Sequence, residues 1–134
     1  MSHKPVPSVT ISIIVPLYNE EGSLKVLHQQ IREELTAKEL EPYEILFIND
    51  GSKDSSLSIL KELQQVDPSI RIINFYRNYG KAAALATGFQ LCKGEYIVTM
   101  DADLQDDPKE ISRFITMAEE KQLDLISGWK QKRY

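Results

Sequence analysis

Cysteine is nearly absent from this chain. The single Cys92 among 134 residues has no partner for an internal disulfide, which fits a reducing compartment. It falls in a helix-like stretch beside Phe89 and Leu91, so its expected role is packing rather than nucleophilic chemistry. Histidine is almost as scarce. His3 lies in the N-terminal lead and His28 on the first predicted helix, away from the polar clusters, and neither reads as a ligand or a base. No apolar run approaches the about 18 residues of a membrane span, and the N-terminus has no signal-peptide core. The chain as given therefore reads as soluble and cytoplasmic. Positive charge is not in excess either. A net charge of -4 argues against a nucleic-acid-binding surface, and the one basic cluster, Lys130, Lys132 and Arg133, reads as a solvated tail. Two phosphate-binding signatures are also missing. Gly80-Lys81 lacks the preceding glycine and the following Ser or Thr of a P-loop, and no G-x-G-x-x-G follows the first predicted strand, which disfavours a dinucleotide-binding domain.

What is present is an alternation of strand and helix patterns, at a length that suits one domain with a single core. After a flexible polar lead, residues 1–8, Val9 to Val15 reads as a strand buried on both faces, with Pro16 ending it. Leu24, Leu27, Ile31 and Leu35 recur at helical spacing behind Glu20, Glu21 and Ser23, which places acids in a first helical turn. Tyr43 to Ile48 is a second strand. Leu57, Ile59, Leu60, Leu63 and Val66 mark a second helix, with Asp54 or Ser55 as N-cap and Pro68 beyond its end. Ile70 to Phe75 is a third strand, and Lys81 to Cys92 an alanine-rich helix with Gly94 at its C-terminal side. Gly88 inside that helix points to close packing on a sheet. Tyr96 to Met100 is a fourth strand. Asp107, Pro108 and Glu110 signal the start of a helix carrying Ile111, Phe114, Ile115 and Ala118 on one face, and Leu123 to Ser127 is a fifth strand. The expected fold is α/β and doubly wound, a mostly parallel sheet with helices on both faces. The exit loop, Lys130 to Tyr134, has nothing after it, so the chain is expected to be part of something longer.

In such sheets ligands bind beyond the carboxyl ends of the strands, where this sequence concentrates its polar clusters. Pro16-Leu17-Tyr18-Asn19-Glu20 follows strand one, Asn49-Asp50-Gly51-Ser52 strand two, Arg77-Asn78-Tyr79-Gly80-Lys81 strand three, and Asp101-Ala102-Asp103-Leu104-Gln105 strand four. Taken alone, Asp101 and Asp103 read as ordinary acidic turn residues. Their spacing after a strand also lets both face one point, where hard oxygens suit Mg²⁺ or Mn²⁺ held partly by substrate phosphates. Gln105 offers a neutral oxygen, Asp50 an acceptor for base N–H groups, Tyr18 a stacking ring, and Arg77 and Lys81 charge for phosphates. Together they indicate a nucleotide-diphosphate site.

These four motifs, in this order, look like those of the family 2 glycosyltransferases with a Rossmann-like GT-A fold. Asp-Ala-Asp-Leu-Gln resembles in particular the branch related to dolichol-phosphate mannose synthase and bactoprenol glucosyltransferase. The resemblance covers nearly the whole chain and implies that residues 1–134 are the nucleotide-sugar-binding part of such a domain. It implies that Pro16, Tyr18 and Glu20 line the nucleoside pocket, that Asp50 reads the base, and that Arg77 and Lys81 donate near the phosphates. Asp101 and Asp103, the catalytic pair, would hold Mg²⁺ or Mn²⁺ with Gln105 against a UDP- or GDP-sugar. Asn49 stands where many relatives carry another aspartate, a departure that bears on any role needing charge there.

The implied reaction is an inverting transfer to a lipid-linked phosphate or a glycan, with a polyprenyl phosphate expected, by a full-length protein at the cytoplasmic face of a membrane. No general base is found outside the metal motif, so this chain is expected to bind donor and transfer little. A different reading, a non-catalytic receiver-like Mg²⁺-binding signalling module, would need an acidic pair after strand one and a phosphoacceptor Asp after strand three. Asn19-Glu20 and Arg77-Asn78 stand there instead.

Overall fold

The computed structural model describes residues 9–121 and 125–127. The lead 1–8 with His3, the residues Leu123 and Asp124, and the segment 128–134 with its basic cluster lie outside the described residues. Nine elements follow one another: β1 (Ile11–Leu17), α1 (Leu24–Ala37), β2 (Tyr43–Asp50), α2 (Ser56–Val66), β3 (Ile70–Phe75), α3 (Lys81–Leu91), β4 (Tyr96–Thr99), α4 (Glu110–Lys121) and β5 (Leu125–Ser127). The five strands form one sheet in the order β3-β2-β1-β4-β5, with every pairing parallel. That order is the one in which the chain winds outward from β1 twice and leaves a crevice where it reverses, between β1 and β4. A receiver-type sheet has the order 2-1-3-4-5, so the topology sets that reading aside.

Every residue of β1 is buried, as its run of β-branched residues requires of a central strand. On one face, Ile11, Ile13 and Val15 pack with Leu24, Leu27, Ile31 and Leu35 of α1, Leu60 of α2 and Ile111, Phe114 and Ile115 of α4. The side chain of Ala118 lies outside those described. On the other face, Ile14, Leu46 and Ile48 meet Ala84 of α3. Helices therefore cover both faces, three on one side and one on the other. The lone helix comes in close: a Cβ on Gly88 would sit 2.5 Å from Ile14 Cγ2, which explains the glycine.

Several local expectations change. Pro16 lies inside β1, in register with Ile48. Its missing donor costs nothing because N–H groups alternate sides along a strand. Ile14 O accepts from Met100 N at 3.0 Å, so Pro16, two residues on, faces the β4 side, where the β1–β4 pairing stops at Ile14 and Thr99. α1 starts later than expected, with Ser23 as N-cap and no acid in its first turn. Gly94 is not a helix cap. α3 ends at Cys92 in extended conformation, and Gly94 is small because a Cβ there would lie 2.5 Å from Ser12 N. The expected capping box of α4 is half made: Asp107 Oδ1 accepts from Lys109 N at 2.9 Å, while Glu110 turns to Arg113 at 2.8 Å.

One polar network sits at the amino ends of the strands, opposite the motif loops. The buried Glu44 carboxylate accepts from Ser12 Oγ at 2.5 Å, Arg71 Nη1 at 2.9 Å and Lys93 N at 2.6 Å. It fixes the α3–β4 connection. Cys92 lies beside it, half-buried, its thiol pushed up in pKa by burial and by the Glu44 charge. A thiol held protonated packs rather than attacks.

Candidate functional site

The loops that follow β1, β2, β3 and β4 converge at the carboxyl edge of the sheet. A cavity of about 300 Å³ opens among Pro16, Tyr18, Asp50, Asn78, Gly80, Lys81 and Asp101. A second, of about 200 Å³, adjoins it and adds Glu20, Ala102 and Asp103. Pro16, Tyr18, Lys81 and Asp101 border both, so the two form one trough. Of the residues singled out in the sequence, Pro16, Tyr18, Glu20, Asp50, Lys81, Asp101 and Asp103 line it. Arg77 borders neither cavity; its guanidinium lies 4.8 Å from the centre of the Tyr79 ring. Gln105 is exposed, and its backbone N–H donates to Asp103 Oδ1 at 3.1 Å.

Asp50, the last residue of β2, is 4% exposed and heavily engaged. Its Oδ1 accepts from Tyr79 N at 2.7 Å, and its Oδ2 from Gly80 N at 3.0 Å and Asn78 Nδ2 at 3.1 Å. Gly80 is the N-cap of α3 at φ 101° and caps nothing itself. The Asp50 carboxylate, at the end of β2, holds the backbone just ahead of the helix, a favourable place for negative charge near a helix N-terminus. Gly51 makes the approach possible. At φ 73°, any Cβ there would lie 2.3 Å from Arg77 C.

The first two loops are stitched together. Asn19, left-handed at φ 54°, donates its N–H to Ser52 Oγ at 2.9 Å, while Asn19 Oδ1 accepts from Lys53 N at 2.8 Å. Glu20 N donates to Ser56 Oγ at 3.0 Å, Glu21 N to Asp54 Oδ2 at 3.2 Å, and Glu21 Oε1 accepts from Ser55 N at 2.9 Å. Burial raises the Asp54 carboxyl pKa, but hydrogen bonds from Ser56 and from the Glu21 backbone outweigh it and hold the group below its ordinary range. Asn49, where a charge was in question, is buried. Its Nδ2 donates to Asn74 Oδ1 at 2.8 Å, a bond a carboxylate would lose.

The loop after β4 carries the acidic pair. Ser23 Oγ lies 2.5 Å from Ala102 O and 2.9 Å from Glu20 Oε2, tying this loop to the first. Asp106, unassigned by its sequence position, is buried, and its Oδ2 accepts from Asp101 N at 2.9 Å. Lys81 Nζ meets Asp101 Oδ1 at 2.7 Å. Among the described residues no three His, Cys, Asp or Glu side chains cluster to hold an ion. Asp101 and Asp103 in one trough offer two hard carboxylates, the protein share that Mg²⁺ or Mn²⁺ takes when phosphates supply the rest. Sequence reasoning missed Ser23, Ser52, Ser56 and Asn78, whose partners include groups in other loops, and Asp106, whose bond to the Asp101 N–H depends on how its own loop folds back.

Among the described residues no helix is long and apolar enough to cross a membrane. The model of Glycosyl transferase family 2 matches residues 12–134. The chain is 43% identical over 126 residues to the undecaprenyl-phosphate 4-deoxy-4-formamido-L-arabinose transferase of Pseudomonas fluorescens, covering 92% of this chain and 36% of that protein. It is 34% identical over 133 residues to the dodecaprenyl-phosphate galacturonate synthase of Rhizobium johnstonii, covering 98% and 39%. It thus spans little more than a third of the length of these relatives. Among solved structures, the mannosyltransferase PcManGT from Pyrobaculum calidifontis in complex with GDP-Man and Mn²⁺ superposes with a TM-score of 0.65 at 24% identity, over 80% of this chain and 32% of that one. That match shows the fold, GT-A. With four motif loops on one trough and a family model spanning all but the first 11 residues, the chain belongs to glycosyl transferase family 2.

Proposed function

We propose that this chain is the donor-binding part of a glycosyltransferase that moves a sugar, with inversion, from a UDP- or GDP-sugar to a polyprenyl phosphate. The observation that carries the reading is the shared trough: Tyr18, Lys81 and Asp101 border both of its cavities, Asp50 lines the first and Asp103 the second. The ring of Tyr18 and the Asp50 carboxylate suit a base, and Lys81 with the two aspartates suits a metal-bound diphosphate. The prenyl-phosphate sugar transferases among the relatives support the acceptor class, and the GDP-Man and Mn²⁺ in a protein of the same fold support the donor class and the ion. The full-length protein would then work at the cytoplasmic face of a membrane.

In this reading Pro16 and Tyr18 flank the nucleoside. Asp50 keeps Asn78, Tyr79 and Gly80 in place and offers its remaining lone pairs to a base N–H. Asp101 and Asp103 would hold Mg²⁺ or Mn²⁺, with Gln105 near the same loop, and the ion would supply a Lewis acid for the leaving diphosphate. Lys81 neutralises phosphate charge, and Arg77 reaches the phosphates only by leaving the Tyr79 ring. Asp106 holds the Asp101 peptide, which keeps that carboxylate aimed during departure of the nucleotide. An acceptor that is already a phosphate brings its own nucleophilic oxygen, so this part of the enzyme needs no base of its own.

Calorimetry with UDP, GDP and their sugars, with and without Mn²⁺, tests the proposal. Metal-dependent binding of one nucleotide family is expected. No binding to any of them would end the donor-site reading.

A further inference from the structure

The contact between Lys81 and Asp101 sets a condition on the site that lining alone does not. Lys81 Nζ lies 2.7 Å from Asp101 Oδ1, with the lysine side chain 45% exposed and the aspartate 14%. One partner is largely withdrawn from water; the other is a flexible cation half in it. Asp101 is also one of the two carboxylates assigned above to the divalent ion. We infer that Lys81 is a stand-in counter-ion for Asp101 that is exchanged for the divalent cation, and that the displaced ammonium moves onto the diphosphate. The inference rests on the donor-binding reading.

Four features support an exchange rather than a shared carboxylate. A withdrawn carboxylate needs a counter-charge, but an ammonium and a divalent cation on one carboxylate repel each other at close range. The backbone under Lys81 is fixed: Gly80 N is held by Asp50 Oδ2 at 3.0 Å and Ala84 N by Gly80 O at 3.1 Å. Movement therefore belongs to the four-carbon stem, which swings readily, and not to the loop. Asp101 is fixed as well, through the bond from its N–H to Asp106, so the carboxylate stays while its partner changes. Lys81 borders both cavities, so the swing ends in the same trough, where phosphates would take its three donors.

Exchange makes metal and nucleotide depend on each other. The ion must displace Lys81, and the diphosphate rewards the displaced lysine, so each ligand improves the affinity of the other by the same factor. Removing the lysine should then have opposite effects on the two ligands, which a merely structural role would not produce.

The test compares the 134-residue chain with Lys81→Gln and Lys81→Arg. Mn²⁺ is titrated alone, followed by the paramagnetic resonance of free ion, and again at saturating UDP or GDP, with calorimetry for the nucleotide. Lys81→Gln is expected to bind Mn²⁺ alone more tightly than the parent, to bind the nucleotide more weakly, and to lose about fivefold or more of the coupling factor between them. Lys81→Arg, which keeps a cation on Asp101, is expected to bind Mn²⁺ alone as the parent does. Unchanged or weaker binding of Mn²⁺ alone by Lys81→Gln, in a setting where the parent binds Mn²⁺ and nucleotide together, overturns the exchange and leaves the donor site standing. An equal gain in Lys81→Arg also overturns it, since charge would not be the cause. A parent that binds no nucleotide with Mn²⁺ removes the donor reading and the exchange with it.

Discussion

Asp50 holds the backbone N–H of Tyr79 at 2.7 Å, a bond between residues 29 positions apart in the chain that joins the end of β2 to the loop before α3. The carboxylate that the motif would give to a base is first of all the clasp of its own pocket. Asp50→Ala leaves the Tyr79 and Gly80 N–H groups without their acceptor and the Asn78 amide with only the main-chain oxygen of residue 50, at a cost of about 2 kcal/mol. The expected result is a lower thermal midpoint together with loss of nucleotide binding. A variant that keeps parental stability and loses only the nucleotide would show that Asp50 serves the ligand alone.

Gly51 stands under the same loop. A methyl group there meets the Arg77 carbonyl carbon at 2.3 Å, on a residue held at φ 73°. Gly51→Ala combines a backbone clash with a left-handed non-glycine conformation, for an expected loss of about 2 to 4 kcal/mol. Urea unfolding measures it directly, and a midpoint equal to the parent's would mean that the two loops separate easily.

Far from the trough, His28 Nε2 lies 2.7 Å from Asp67 Oδ2, both side chains buried, and Ser69 donates to Asp67 Oδ1 through its hydroxyl at 2.6 Å and its N–H at 3.0 Å. Burial alone would raise the Asp67 pKa; the bonds from His28 and Ser69 outweigh it and hold the carboxyl below its ordinary range. A carboxylate with a depressed folded pKa adds stability above its unfolded pKa and loses it as pH falls through the folded one. The parent should therefore lose stability on acidification below about pH 4 more steeply than Asp67→Asn. Parallel acid limbs for the two, from urea midpoints against pH, would count against the network.

Asp103 is exposed, and among the described residues its hydrogen bond is to the nearby Gln105 N–H, so it carries little of the fold. Asp103→Ala is expected to keep the parental thermal midpoint and to weaken Mn²⁺-dependent nucleotide binding about tenfold or more, or about 1.4 kcal/mol. Binding equal to the parent's, by calorimetry with Mn²⁺, would remove Asp103 from the metal site.

The order of elements was legible because apolar runs of five to eight residues and helical spacings are local patterns, and the parallel sheet followed from their alternation. Gly88 was readable for the same reason, as a glycine with no local excuse inside a helix. What escaped depended on which strands become neighbours. Pro16 is tolerated within β1 only because its missing donor faces the side where β4 has ended. Gly94 is needed by Ser12, 82 positions away. The start of α1 moved because Glu20 and Glu21 are drawn to Ser56, Asp54 and Ser55 rather than to a helix dipole. His28, correctly set apart from the motif loops, gave no sign of Asp67, 39 residues on.

The stitching of the β1–α1 loop to the β2–α2 loop has a consequence for how such a domain can be rebuilt. Asn19, Glu20 and Glu21 on one side and Ser52, Lys53, Asp54, Ser55 and Ser56 on the other exchange donors and acceptors in both directions. Neither segment carries its own shape. A chimera that imports one loop from another transferase and keeps the native other inherits mismatched halves, whereas the two exchanged together travel as a single graftable part.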